Sequence, residues 1–172
     1  MSRTRQWVAA LTGVLLPMAV AGVCAAPSAS ADPIGPTFRF VYSVKVTSTH
    51  TAAVNRDRVL ATCSAGKGGT CSISKSRSVA RTIDLGLGVS RGFVAGQLGW
   101  SKSSSVTVTA QCTSPVFTKS GQVYRAYPQG IRKRYTITKK TYSYGSKKPK
   151  LIRIETTGGV AFNPKGVSCY LS

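Results

Sequence analysis

An all-β fold, a single antiparallel sandwich or small barrel held by two disulfides, is predicted by three features of the sequence. Apolar residues recur at every second position in several runs, glycine and proline punctuate those runs at short intervals, and four cysteines remain once an export leader is set aside. A chain of this kind reads as one domain, residues 38–172, preceded by a Pro-containing leader over 32–37.

The leader itself follows from the amino terminus. Arg3 and Arg5 precede a mostly apolar stretch from Val8 to Ala26, and Ala29-Ser30-Ala31 supplies the small residues a signal peptidase needs. A secretory signal over 1–31 and a mature chain from Asp32 are therefore expected. Pro17 breaks the apolar run and argues against a retained anchor, while Val23 is larger than the residue lipoprotein processing requires before Cys24.

The first strand is the clearest. Phe38, Phe40, Tyr42, Val44 and Val46 alternate with Arg39, Val41, Ser43, Lys45 and Thr47. Such a strand either pairs within its own domain or stands at a sheet edge, where those five residues serve a partner. Further strands are expected over 58–63, 71–79, 79–90, 104–112, 122–127, 132–144, 150–157 and 160–162. Within the third and fourth of these strands, counting the first as one, Ile73, Val79, Ile83, Leu85, Leu87 and Val89 share a parity with Lys75, Arg77 and Arg81, against serines at 72, 74, 76 and 78. Gly86, Gly88, Gly92, Gly96 and Gly99 weaken a helix by roughly 1 kcal/mol each, although Phe93 to Leu98 has room for one or two helical turns. Turns are expected at 65–69, 114–115, 120–121, 128–130, 145–149, 158–159 and 163–164.

Four mature cysteines in an exported chain imply two bridges and three pairings. The preferred one joins Cys63 to Cys71 around a glycine-rich loop and Cys112 to Cys169 across the second half. Loop entropy values these closures at about 2.6 and about 4.2 kcal/mol. Zinc is disfavoured, since no C-x-x-C pair exists and His50 is the sole histidine. No cofactor is expected: Gly86-Leu87-Gly88 lacks the third glycine and the helix of a dinucleotide site.

Charge is the strongest functional clue. The chain carries 24 Lys and Arg against 4 Asp and Glu, and loss of Arg3 and Arg5 leaves the mature part near +18. Arg132, Lys133, Arg134, Lys139, Lys140, Lys147, Lys148, Lys150 and Arg153 crowd a short segment with Tyr135, Tyr142 and Tyr144. Strand periodicity puts Arg132, Arg134, Thr136, Thr138 and Lys140 on one face and Lys133, Tyr135, Ile137 and Lys139 on the other. Lysines at strand edges guard against aggregation; the same residues also suit an anionic partner, whether a cell-surface polymer, an acidic lipid or an acidic protein. Nucleic acid is the least available of these outside a cell, and no RNA-binding signature is present.

Chemistry is thinly provided. Asp32, Asp57, Asp84, Glu155 and His50 are the only ordinary acid–base side chains of the mature part, which excludes most hydrolases built on paired carboxylates or clustered metal ligands. His50 with Glu155 and basic neighbours supports RNA cleavage only as a third reading. No G-x-S-x-G turn marks a serine nucleophile.

The Ala29-Ser30-Ala31 site, the span Cys71 to Cys112 with its Gly-Leu-Gly-Val-Ser core, and the stretch from Tyr124-Arg125-Ala126-Tyr127-Pro128 through Ala161-Phe162-Asn163-Pro164 to Cys169 resemble small secreted actinobacterial proteins. In size, export, cysteine count and β character the chain is similar to the adaptor subunit of umbrella toxin particles. That resemblance implies a non-enzymatic linker between a lectin-like subunit and a larger scaffold, entered by an amino-terminal strand. The Ser/Thr-rich strands between Cys71 and Cys112 also resemble those of aerolysin-like pore formers. The expected function is thus a secreted, non-enzymatic assembly protein with exported protein partners, the alternative a membrane-active β toxin.

Overall fold

The computed structural model describes residues 37–145 and 148–172. The expected signal, the leader up to Pro36, and Lys147 lie outside them. In order, the chain forms β1 (Thr37–Val54), β2 (Ala61–Cys63), β3 (Ser72–Ala80), β4 (Thr82–Ile83), α1 (Arg91–Gln97), β5 (Ser105–Thr113), β6 (Tyr124–Tyr144) and β7 (Lys150–Leu171).

The alternation that begins at Phe38 runs on to Val54, giving β1 a long antiparallel ladder with β6. The other edge of β6 pairs with β7 from Tyr124↔Leu171 to Ser143↔Lys150. Short β2 takes over beside β6 where β1 stops, and β4 pairs with β7, so β1 and β4 are the outer strands of the main sheet. Strands β3 and β5 form a separate antiparallel pair, Ser72↔Thr113 to Ala80↔Ser105. The architecture is sandwich-like, two open antiparallel sheets and no closed barrel.

Both disulfides tie one sheet to the other. Cys63–Cys71 links β2 to the start of β3, and Cys112–Cys169 links β5 to β7, the expected pairing in each case. They flank a core of Leu60, Ile73, Val79, Val108, Ala110, Phe117, Tyr124 and Ala126. A second core lies farther along the main sheet, where α1 lays Val94, Ala95 and Leu98 against Ile83, Tyr135, Ile137 and Ala161.

Several expected boundaries shift. The strand expected over 79–90 is only β4, because buried Arg81 and the positive-φ pair Leu87-Gly88 turn the chain toward α1. The helix starts on Ser90, whose Oγ accepts the Phe93 N–H at 3.2 Å. Residues 128–130, 158–159 and 163–164 are not turns but lie within β6 and β7. Pro128 is tolerated because its missing N–H falls where β1 breaks off after Val54; its carbonyl accepts from Asn55. Gly130 and Gly159 are close approaches. A Cβ on Gly130 would sit 2.1 Å from the Asn163 carbonyl oxygen, and one on Gly159 would sit 2.7 Å from the Tyr135 ring.

Candidate functional site

Register divides the β1–β6–β7 sheet into two faces, since residues directly opposed on antiparallel strands project to the same side. Phe38, Phe40, Tyr42, Val44 and Val46 stand on the side that α1 covers, opposite Ser143, Thr141, Lys139, Ile137 and Tyr135. Tyr42 and Val44 pack against the helix cluster, with the Tyr42 and Phe93 rings 6.4 Å apart. Beyond the helix the cover ends, and Phe38 and Phe40 are about half exposed (52% and 51%). The five residues expected to meet a partner are therefore divided: two help seat α1, and the others reach solvent.

Lys133 and Lys139, on the helix side, are both engaged. Lys133 Nζ donates to the Leu98 carbonyl at 2.8 Å and lies 5.6 Å from the Trp100 ring centre. Lys139 Nζ is 3.8 Å from Glu155 Oε2 and 4.5 Å from the Phe40 ring centre. Arg153 Nη2 approaches Glu155 Oε1 at 3.2 Å. Glu155 thus offsets two members of the basic cluster.

The opposite face is open and keeps its cations bare. Arg132 faces His50, Arg134 faces Ser48, Thr136 faces Lys45, and Lys140 lies between Val41 and Ile154. Arg39 Nη1 reaches the Tyr144 hydroxyl at 3.4 Å. At the tip a register shift after Thr141 leaves Ile152 unpaired in the ladder beside Leu151 and Lys150, and Lys148 stands in the turn. The nine-residue cluster is consequently not one surface: Arg132, Arg134 and Lys140 share the open face, Lys133, Lys139 and Arg153 the helix side, and Lys148 and Lys150 the tip.

His50 and Glu155 are not brought together. They oppose Arg132 and Lys139, seven residues apart on β6, which is about 23 Å along the strand, and they occupy opposite faces. Among the described residues no group of three His, Cys, Asp or Glu can hold a metal ion.

Arg81, on the core-facing parity in the sequence, was not singled out as a structural residue, yet it is buried. Nε donates to Asn163 Oδ1 at 2.8 Å, and Nη1 to the Ser101 carbonyl, the Ser101 hydroxyl and the Ser103 carbonyl at 2.6, 3.0 and 2.8 Å. Burial, and then neighbouring Arg91, lower its pKa. It is a strut for the loop after α1. The parity was the available signal, but an arginine among Ile and Val looks like a solvated exception until its acceptors are seen.

Tyr135 also works inside the fold. Its hydroxyl donates to the Asp84 carbonyl, and burial, with the Asp84 charge adding to it, pushes its pKa up to about 12. The Asp84 carboxylate accepts the Val160 N–H at 2.9 Å, pinning the chain after β4 against β7.

No protein-family model matches the chain, and no curated protein matches it.

Proposed function

We propose that this chain is a secreted, non-enzymatic assembly protein, an adaptor subunit of an exported toxin particle, which engages a protein partner through the bare end of the β1–β6–β7 ribbon. The observation that carries the reading is where apolar surface is left over. Of thirteen large hydrophobic residues exposed among the described residues, seven (Phe38, Phe40, Val41, Tyr144, Leu151, Ile152 and Ile154) gather at this end. Phe38 and Phe40 lie on the helix side of this end and Val41, Tyr144, Leu151 and Ile154 on its open side, and apolar exposure concentrated in this way marks an interaction site rather than ordinary surface scatter. The outer edge of β1 lies beside it, so a partner strand can add to the sheet while its side chains meet the patch. Disulfides that join the two sheets suit an oxidising, extracellular setting.

Deleting the whole amino-terminal strand is a poor test, because β1 covers β6 and supplies Tyr42 and Val44 to the helix core. Point changes at exposed positions avoid this. The mature protein should recover exported proteins in fixed stoichiometry from culture supernatant, and Phe40→Ser with Ile152→Ser should lose them while the melting temperature stays within a few degrees. Equal recovery by the variant refutes the reading.

One observation favours a membrane-active toxin as the second reading: Arg39, Lys140, Lys150 and Arg153 ring the same apolar end. Dye release from anionic vesicles by the mature protein, lost in the same variant, would replace assembly with membrane attack.

A further inference from the structure

Independently of the assembly reading, we propose that the open face of the sheet, beside the upper half of β1, binds a linear phosphate-bearing polymer laid along β6. The site is a depression of about 540 Å³ between the Thr49–Ala53 stretch of β1 and the side chains of Arg132 and Arg134. Its origin is local: the β1–β6 register shifts between His50 and Ala53, so Thr51 and Ala52 have no opposed partner and the edge strand bows away from β6. Bulges of this kind commonly re-aim side chains at binding sites.

Charge selects the occupant. Arg132 and Arg134 stand two residues apart on one face, a repeat of about 7 Å, with His50 directly across from the first. Neither arginine has an ion pair; among the described residues both ion pairs go to Glu155, on the other side of the sheet. On this side Asp84, at the β7 margin, borders a depression that Arg134 also lines, but its carboxylate already accepts the Val160 N–H and forms no ion pair with Arg134. Lys45, opposed to Thr136, and Lys140 continue the row on the same face. From Arg132 to Lys140 the row is about 27 Å long. Like charges in a row without ion pairs on an exposed sheet are complementary to a chain of regularly spaced anions. A single phosphate would meet only one end of such a row. A lipid surface is disfavoured around Arg132 and Arg134, because seven of the thirteen exposed large apolar residues gather at the opposite end of the ribbon, around Lys140.

The probe is long-chain inorganic polyphosphate, titrated into the mature protein and followed by calorimetry over a range of salt. Binding should exceed that of orthophosphate and weaken with salt. The logarithmic slope should be about −3, as expected for four cations meeting a single charged strand. Arg132→Gln with Arg134→Gln should weaken binding about thirtyfold and make the slope shallower by about 1.4, whereas Lys133→Met, from the same segment but the other face, should leave both unchanged. The proposal is overturned if polyphosphate binds no better than orthophosphate, if the double variant binds like the parent, or if Lys133→Met loses as much. It is also overturned if anionic lipid vesicles bind more tightly than polyphosphate through the same two arginines. Absence of any recovered protein partner leaves it standing, so its failure and that of the adaptor reading are distinguishable.

Discussion

Replacing Lys133 by methionine tests whether β6 divides its charges between two faces as described. The ammonium donates at 2.8 Å to Leu98, the residue that ends α1, so it satisfies one of the carbonyls a helix terminus leaves without an internal partner. Methionine keeps most of the stem's packing and removes the charge. A half-buried hydrogen bond from a charged donor contributes about 1 kcal/mol after solvent takes its share, and the contact with Trp100, 5.6 Å from the ring centre, about 0.5–1 kcal/mol more. The expected loss is about 2 kcal/mol, or roughly 6–8 °C in melting temperature for a domain of this size. Thermal and urea unfolding followed by circular dichroism measure it. Arg134→Met, one residue along the chain and so on the opposite face, is exposed and has no ion pair, so it should change stability by less than about 0.5 kcal/mol. If Lys133→Met melts with the parent, or if Arg134→Met falls as far, the assignment of faces is wrong.

Alkaline pH should expose the role of Tyr135. Its folded pKa stands near 12, above the ordinary tyrosine value of about 10, so the protonated hydroxyl is favoured by folding. The contribution is complete below about pH 10 and is lost as pH rises through 12, by about 2 kcal/mol once solvent access is allowed for. Urea titrations between pH 8 and 12 should show this step, and Tyr135→Phe should remove it; a step of equal size in the variant would assign it to other groups. The strand glycines differ in a graded way. Gly130→Ala drives a Cβ into rigid backbone and should cost more than Gly159→Ala, which meets the Tyr135 ring and should cost about 1–3 kcal/mol. Gly158→Ala meets nothing within 4 Å and should be close to neutral. Equal unfolding midpoints for the three would contradict the packing.

How much of this was legible beforehand depends on the range of the interaction involved. The Phe38–Val46 alternation and the parity of Arg132 to Lys140 were readable, because a strand's two-residue period is a property of neighbouring peptides. The division of β6 into an arginine face and a face carrying Lys133, Tyr135, Ile137 and Lys139 matches that parity. Ser90 was an available but unused signal for α1, since a hydroxyl three residues before an N–H can cap a helix.

Sequence alone determined the β class, the strand parity and, through the even set of cysteines, the bridges that proved to join the two sheets. Only tertiary structure decided which side of β6 the helix covers. It alone separated turn glycines from those that admit a neighbouring strand or ring, because both kinds carry the same local signature. It also dispersed nine clustered cations among an open face, a covered face and a tip. Coulombic partners such as Glu155 and acceptors such as the Leu98 carbonyl arrive from distant parts of the chain, and only folding determines which charges they meet.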